Sequence, residues 1–466
     1  MLFSSIPFLY YFLPSVLVLY FIAPKKLKNT VILVSSLVFY GWGEPKYVVL
    51  MIASIIIGYF SGLLIEAFNQ GKKAKLFLWL SVIVNLGFLG FFKYSDFFIE
   101  NFNAVTGLSV PLLKVALPIG ISFYTFQILS YTIDVYRGQV SAQKNIINLA
   151  AYITMFPQLI AGPIVRYSDI SKQLKKRIHS FENFSVGIRR FVLGLGKKIL
   201  IANILGELCT DFKLSHDKSI LFYWLYAVAF ALHVYFDFSG YSDMAIGLGR
   251  IMGFNFSENF NYPFISKSAT EFWRRWHMSL GTWFRDYVYI PLGGNRVSKP
   301  RQFFNIFVVW FLTGFWHGAD WNFIIWGLFF AVLLVIEKTL MLKHLEKSKL
   351  LSRIYMILVI SVSFVIFNAT DMKEAVSYIG GMFGVGDIPL VSKEFFYYLK
   401  SFAVVLILGL IGSTPIVKNA VEKFTENNKV SKILIVLEPT VLVILMIVMT
   451  AFLVDGSFNP FLYFRF

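Results

Sequence analysis

Two histidines stand where the surrounding sequence is apolar and aromatic. His277 lies in EFWRRWHMSLGTWFRDYVY, and His317 lies in FNIFVVWFLTGFWHGADWNFIIW. An alcohol is a poor nucleophile at neutral pH. A neutral imidazole can take its proton as the oxygen attacks an acyl carbon. Burial disfavours imidazolium and keeps such a group available as a base. Lipid offers a polar side chain no partner, so an ionisable residue at membrane depth is first read as functional. Asp320, three residues after His317, is a candidate orienting partner. The same pattern also fits a hydrogen-bonded core histidine or a short surface turn, and spacing leaves both open.

Other constellations carry less. No G-x-S-x-G elbow and no H-E-x-x-H occurs. Gly194-Leu195-Gly196-Lys197-Lys198 lacks the spacing and the Ser/Thr of a phosphate-binding loop. His233 and Asp237 share a helical face at i, i+4, but a metal needs three or four ligands, so a hydrogen-bonded core pair is the simpler reading and no metal is expected. His179, His216 and His344 lie in charged loops and read as solvated. The single cysteine, Cys209, sits in an apolar segment and excludes an internal disulfide.

The elements that must carry the two histidines differ. As one helix, Glu271–Tyr289 would place Trp273, Trp276, Leu280, Trp283, Phe284 and Tyr287 on one face. Arg274, Arg275 and His277 would lie away from it. Tryptophan on one side and arginine on the other predicts a helix in the headgroup region. Pro291, Gly293 and Gly294 would end it. Phe303–Trp316 is almost wholly apolar, stops at His317-Gly318-Ala319-Asp320 and resumes at Trp321.

The chain of 466 residues is 57% hydrophobic and only 15% charged. A soluble protein of this length would carry more charge. Apolar runs of about 20 residues recur, the length that crosses the hydrocarbon. An all-α polytopic membrane protein follows, read as one embedded domain, 1–466. The net charge of +17 clusters in short loops, which points to orientation and contact with membrane lipids, and to no nucleic acid. Expected spans include Ile6–Ala23, Val31–Gly41, Val48–Ile65 and Leu76–Phe92, with a loop from Lys93 to Lys114. The first reads as a retained span, not a cleaved leader. Pro118 and Gly120 interrupt the start of Leu117–Gly138. Ile146–Ile164, with Pro157, Gly162 and Pro163, reads as a broken or re-entrant segment packed within protein. Basic stretches at Lys25–Lys28, Lys72–Lys75, Arg166–Arg177, Lys338–Lys349 and Lys418–Lys432 fall on one side. Ile220–Phe236 ends at a polar cluster, Asp237–Asp243, and the region from Arg250 to Gln302 stays cytoplasmic or interfacial. The alternation is consistent with about 11–12 transmembrane helices, plus re-entrant and interfacial ones.

Five stretches resemble the membrane-bound O-acyltransferase family, in its bacterial alginate and peptidoglycan O-acetyltransferase branch. They are LPIGISFYTFQILSYTIDVYRG, FPQLIAGPIVRY, YFDFSGYSDMAIGLGRIMGF, FNYPFISKSATEFWRRWHMSLGTWFRDYVYIPLGGNR and LTGFWHGADWNFIIWG. They define a core, 117–327, flanked by peripheral helices in 1–116 and 328–466. The resemblance implies a ring of tilted helices around a thinned centre where donor and acceptor meet from opposite sides. It implies that His317 is the buried catalytic histidine and that His277 is the second, near the cytoplasmic mouth of a channel. Arg274, Arg275, Trp276, Asp320 and Asn322 are the candidate substrate-binding residues. No bound cofactor is implied. The donor would be acetyl-CoA or another acyl thioester. The acceptor would be a hydroxyl of an extracytoplasmic polysaccharide, reached directly or through an extracytoplasmic acetyltransferase partner, and the location the cell inner membrane. D-alanyl transfer to teichoic acid, and a non-catalytic donor channel or scaffold, are the competing readings.

Overall fold

The computed structural model describes residues 2–69, 71–426 and 428–456, and among them all regular structure is helical. The contacts divide the chain into two compact units, Met1–Phe191 with Ser242–Ser257, and Val192–Tyr241 with Glu258–Phe466.

The first unit contains α1 (Leu13–Ile22), α2 (Lys28–Gly43), α3 (Val48–Ala67), α4 (Lys72–Thr106), α5 (Ile121–Tyr136), α6 (Ile146–Thr154), α7 (Phe156–Leu159), α8 (Tyr167–Lys175) and most of α9 (Phe181–Gly196). α5 starts directly after Gly120, whose φ of +77° turns the chain where a side chain would meet Leu159 O at 2.7 Å. The break expected within Ile146–Ile164 lies at Met155, between α6 and α7. Its polar groups are met by protein. Phe156 N donates to Ser36 Oγ (3.0 Å), Gln158 Nε2 to Tyr152 O (2.6 Å) and Tyr152 Oη to Val165 O (2.9 Å). That is the condition for irregular backbone among apolar surroundings. α4 does not stop near Phe92 but runs on to Thr106, because Tyr94 still finds a buried place and no breaker precedes Gly107, where φ is +74°.

The second unit contains α10 (Ile204–Leu214), most of α11 (Ile220–Ile251), α12 (Ala269–Trp273), α13 (Met278–Phe284), α14 (Lys299–His317), α15 (Trp321–Ile336), α16 (Leu342–Lys347), α17 (Lys349–Asn368) and α18 (Met372–Met382). α19 (Lys393–Ser401), α20 (Ala403–Gly412), α21 (Ile416–Thr425) and α22 (Asn428–Asp455) complete it. π-helical turns occupy Lys197–Asn203, Arg285–Tyr289 and Glu337–Met341. The polar cluster Asp237–Asp243 does not end a helix. α11 continues through it, since Lys198 Nζ lies 2.6 Å from Asp237 Oδ1 and both are buried. His233 Nδ1 lies 2.6 Å from Ala202 O. His233 and Asp237 are thus tied to the π-helical turn beside them.

Six described helices have the length and apolarity to cross a membrane, or up to seven if the bent pair Lys393–Ser401 and Ala403–Gly412 is one span. The other expected crossings fall on helices that are shorter or more polar, such as the 16-residue α2 and α5.

Candidate active site

α14 and α15 form the hairpin that carries His317. Gly314 and Gly327 let the helices touch backbone to backbone, since a Cβ on Gly327 would overlap Trp310 O and one on Gly314 would overlap Phe323 O. Such approach needs residues without side chains. His317 closes α14, and Gly318 then leaves in extended conformation. The imidazole is 9% exposed and sits in an aromatic cage. Trp316, Trp326 and Phe367 meet it edge to face at centroid distances of 5.0, 5.1 and 5.3 Å. Asp320 heads α15, half-buried, and no hydrogen bond joins it to His317. The extended Gly318 carries the chain on from His317 before Asp320 begins the next helix.

His277 is reached by a different route. Glu271–Tyr289 is not one helix. It is α12, a turn, α13 and a π-helical turn, with the break at His277, whose φ is +44°. Trp276, Leu280, Trp283 and Phe284 are buried in protein, so the aromatic stripe is core. The expectation of one continuous helix fails, and the rings of the stripe find aromatic partners within the protein. Trp276 packs on Phe260, Phe272 and Phe364 at 5.1, 5.4 and 5.3 Å. α12 is anchored at its start by the buried Glu337 carboxylate, which accepts from Ala269 N (2.5 Å), Thr270 N (2.9 Å), Thr270 Oγ1 (2.7 Å) and Tyr355 Oη (3.0 Å). A carboxylate on the free N–H groups of a helix N-terminus is favourable in charge and in hydrogen bonding.

The His277 imidazole is 2% exposed. Asn259 Oδ1 lies 3.1 Å from its Nδ1 and also accepts from Ser279 N (3.2 Å) and Ser279 Oγ (2.9 Å). A carbonyl oxygen only accepts, so Nδ1 carries the proton and the lone pair is on Nε2. Burial lowers the His277 pKa to about 3, so the ring is neutral. Phe238 stands edge-on to it at 4.7 Å, and the Trp316 ring lies 6.1 Å away. Trp316 thus adjoins both histidines.

The remaining candidates separate. Arg274 is exposed. Arg275 is committed to structure: its Nη2 pairs with Glu271 Oε1 at 2.9 Å and its Nη1 donates to Asn261 O at 3.1 Å. Trp276 is core. Asn322 ties α15 to the end of α17, donating from Nδ2 to Ala369 O at 2.9 Å. Asn259, Ser279 and Glu337 had no signal in spacing, because each acts across a fold contact.

A family model described as MBOAT, membrane-bound O-acyltransferase family, matches residues 138–381. The chain belongs to that family, and it is a multi-pass membrane acyltransferase. It is 41% identical over 424 residues to a probable alginate O-acetylase of Azotobacter vinelandii, covering 88% of this chain and 85% of that one. A peptidoglycan O-acetyltransferase of Helicobacter pylori is 34% identical, covering 84% and 82%. A teichoic acid D-alanyltransferase of Bacillus subtilis is 34% identical, covering 46% and 58%.

Proposed function

We propose that this protein is a polysaccharide O-acetyltransferase of the bacterial inner membrane. It takes an acyl group from a thioester donor, acetyl-CoA or an equivalent, on the cytoplasmic side and delivers it to a hydroxyl on the other side. His317 acts as the general base. Its neutral imidazole accepts the acceptor's hydroxyl proton as the oxygen attacks the thioester carbon. The carbon–sulfur bond breaks, and the imidazolium returns the proton to the departing thiolate. His277 lies on the donor side, with Arg274 free to meet an anionic carrier while Arg275 stays with Glu271. The acceptor is the polymer itself or the hydroxyl of an extracytoplasmic partner protein that completes the transfer. Asp320 and Asn322 flank the acceptor side at the head of α15.

The observation that carries this reading is the pairing of two buried histidines on one tryptophan, Trp316, with His277 held as a neutral tautomer by Asn259. Acetyl transfer is favoured over D-alanyl transfer because the acetylase relative matches most of the chain and the D-alanyltransferase under half. The test is His317→Ala in cells, with acyl groups on envelope polysaccharide read by mass spectrometry. Loss of acetyl ester at normal membrane levels is expected. Unchanged acetylation would defeat the enzymatic role of His317, and loss of D-alanyl ester instead would move the assignment to that transfer.

A further inference from the structure

In the first unit, two basic segments meet around one tyrosine. Lys28 Nζ donates to Tyr20 O at 2.7 Å and stands 4.4 Å from the Tyr20 ring centroid. Arg177 Cζ lies 5.7 Å from the same ring and 4.4 Å from that of Phe254. Tyr20 Oη donates to Met252 O at 2.6 Å, which uses its only proton. The 2.9 Å contact with His179 Nε2 is therefore donated by the imidazole. The chain admits this approach at Gly253, φ +82°, where a Cβ would meet Arg177 Cβ at 3.2 Å and His179 Nε2 at 3.3 Å.

Three cationic or proton-donating side chains are thus gathered, and among the described residues none of them has a carboxylate within ion-pair distance. Arg177 Nη1 is buried and has no hydrogen-bond partner. A buried, unpartnered guanidinium N–H beside a second cation is a costly arrangement unless an anion completes it. Burial, then the charges of Lys28 and Arg177, push the His179 pKa down, which registers the same uncompensated field. Next to the cluster the surface is apolar and outward: Phe21, Ile22, Ile178 and Phe181 are all exposed, and Phe21 stacks edge-on to His179 at 5.9 Å. Both segments, Lys25–Lys28 and Arg166–Arg177, are basic stretches that charge patterning places on the same side of the membrane.

We propose that Lys28 and Arg177 bind the phosphate of an anionic phospholipid, with His179 bracing Tyr20 beside them and the lipid's acyl chains against Phe21, Ile22, Ile178 and Phe181. Phosphate supplies an acceptor oxygen to Arg177 Nη1 and to the N–H groups that Lys28 does not spend on Tyr20 O, and the apolar collar selects a lipid over a soluble phosphate. The site is separate from the acyl-transfer reading and stands or falls without it.

The test uses the full chain in nanodiscs of phosphatidylcholine with a minor share of phosphatidylglycerol, and co-retained lipid is counted by native mass spectrometry. Wild type should retain phosphatidylglycerol above its bulk share. Arg177→Gln and Lys28→Gln should each cut that enrichment about fivefold, the effect of one basic group near an anionic surface. His179→Asn, at an exposed position, keeps a side-chain amide for Tyr20 and should leave retention unchanged. Lys172→Gln, on the exposed side of α8, should leave it unchanged. Absence of enrichment in wild type, or equal enrichment in Arg177→Gln with an intact fold, overturns the site. Thermal protection of the micellar protein by inorganic phosphate, without phosphatidylglycerol enrichment, overturns the lipid as occupant.

Discussion

Glu337 anchors the start of α12, the short helix that leads into the His277 turn. Its carboxylate takes two backbone N–H groups at the start of α12, one threonine hydroxyl and one tyrosine hydroxyl. Thr270→Val and Tyr355→Phe each remove one donor to the carboxylate and should destabilise by about 1.5–3 kcal/mol. Glu337→Gln is more severe, although it changes fewer atoms. Its carboxamide oxygen can serve one pair of donors, while its NH2 faces the other pair. Two hydrogen bonds to a charged acceptor, worth about 1.5–3 kcal/mol each, are replaced by donor against donor, so a loss of about 3–6 kcal/mol is expected. Melting temperatures in detergent micelles should fall in the order wild type, Thr270→Val or Tyr355→Phe, then Glu337→Gln. Adding Thr270→Val to Glu337→Gln should lower the melting point little further, because the shared acceptor is already gone. Acyl transfer should fall with Glu337→Gln through kcat, since α12 leads directly to the His277 turn. A Glu337→Gln protein that melts with or above Thr270→Val, or fully additive effects, would refute the reasoning.

Three further outcomes follow from buried polar groups. The folded His277 imidazole has its pKa near 3 against about 6.5 in the unfolded chain, so its contribution to stability is complete above about 6.5 and is lost as pH falls towards 3. Melting curves should show a stability slope of up to about 1.4 kcal/mol per pH unit in the upper part of that window, reduced in His277→Asn. Asn259→Asp keeps an acceptor at Nδ1 but adds a negative charge, so the acid limb of the activity profile should move to higher pH; an unmoved limb would detach His277 from turnover. Lys198→Met takes a buried cation from beside Asp237 and should destabilise by about 3–5 kcal/mol, whereas Lys198→Met with Asp237→Leu should recover most of that, as measured by thermal unfolding.

The apolar periodicity located most helices, because burial and helix length follow directly from it. The hairpin around His317 is legible for that reason: eleven of the fourteen residues in Phe303–Trp316 are apolar, and α15 begins at Trp321. The stripe in Glu271–Tyr289 reads as one helix because the same residues satisfy an amphipathic helix and a broken one whose rings enter the core. Only the positive φ at His277 separates the two, and no local rule places a histidine there. The polar cluster in α11 looked like a helix end because its neutralising partner, Lys198, lies on another segment. Asn259 and Ala269 make their decisive hydrogen bonds 18 and 68 positions along the chain. Such contacts are products of packing, invisible until the helices are assembled.

The backbone at position 277 constrains how this protein can vary. With φ at +44° and ψ at 52°, the site suits glycine and asparagine and strains alanine. Alanine replacement there would therefore mix two injuries, a missing ring and a twisted main chain, whereas asparagine removes only the ring. Drift at this codon has few safe exits, and a designer choosing substitutes should begin with those two.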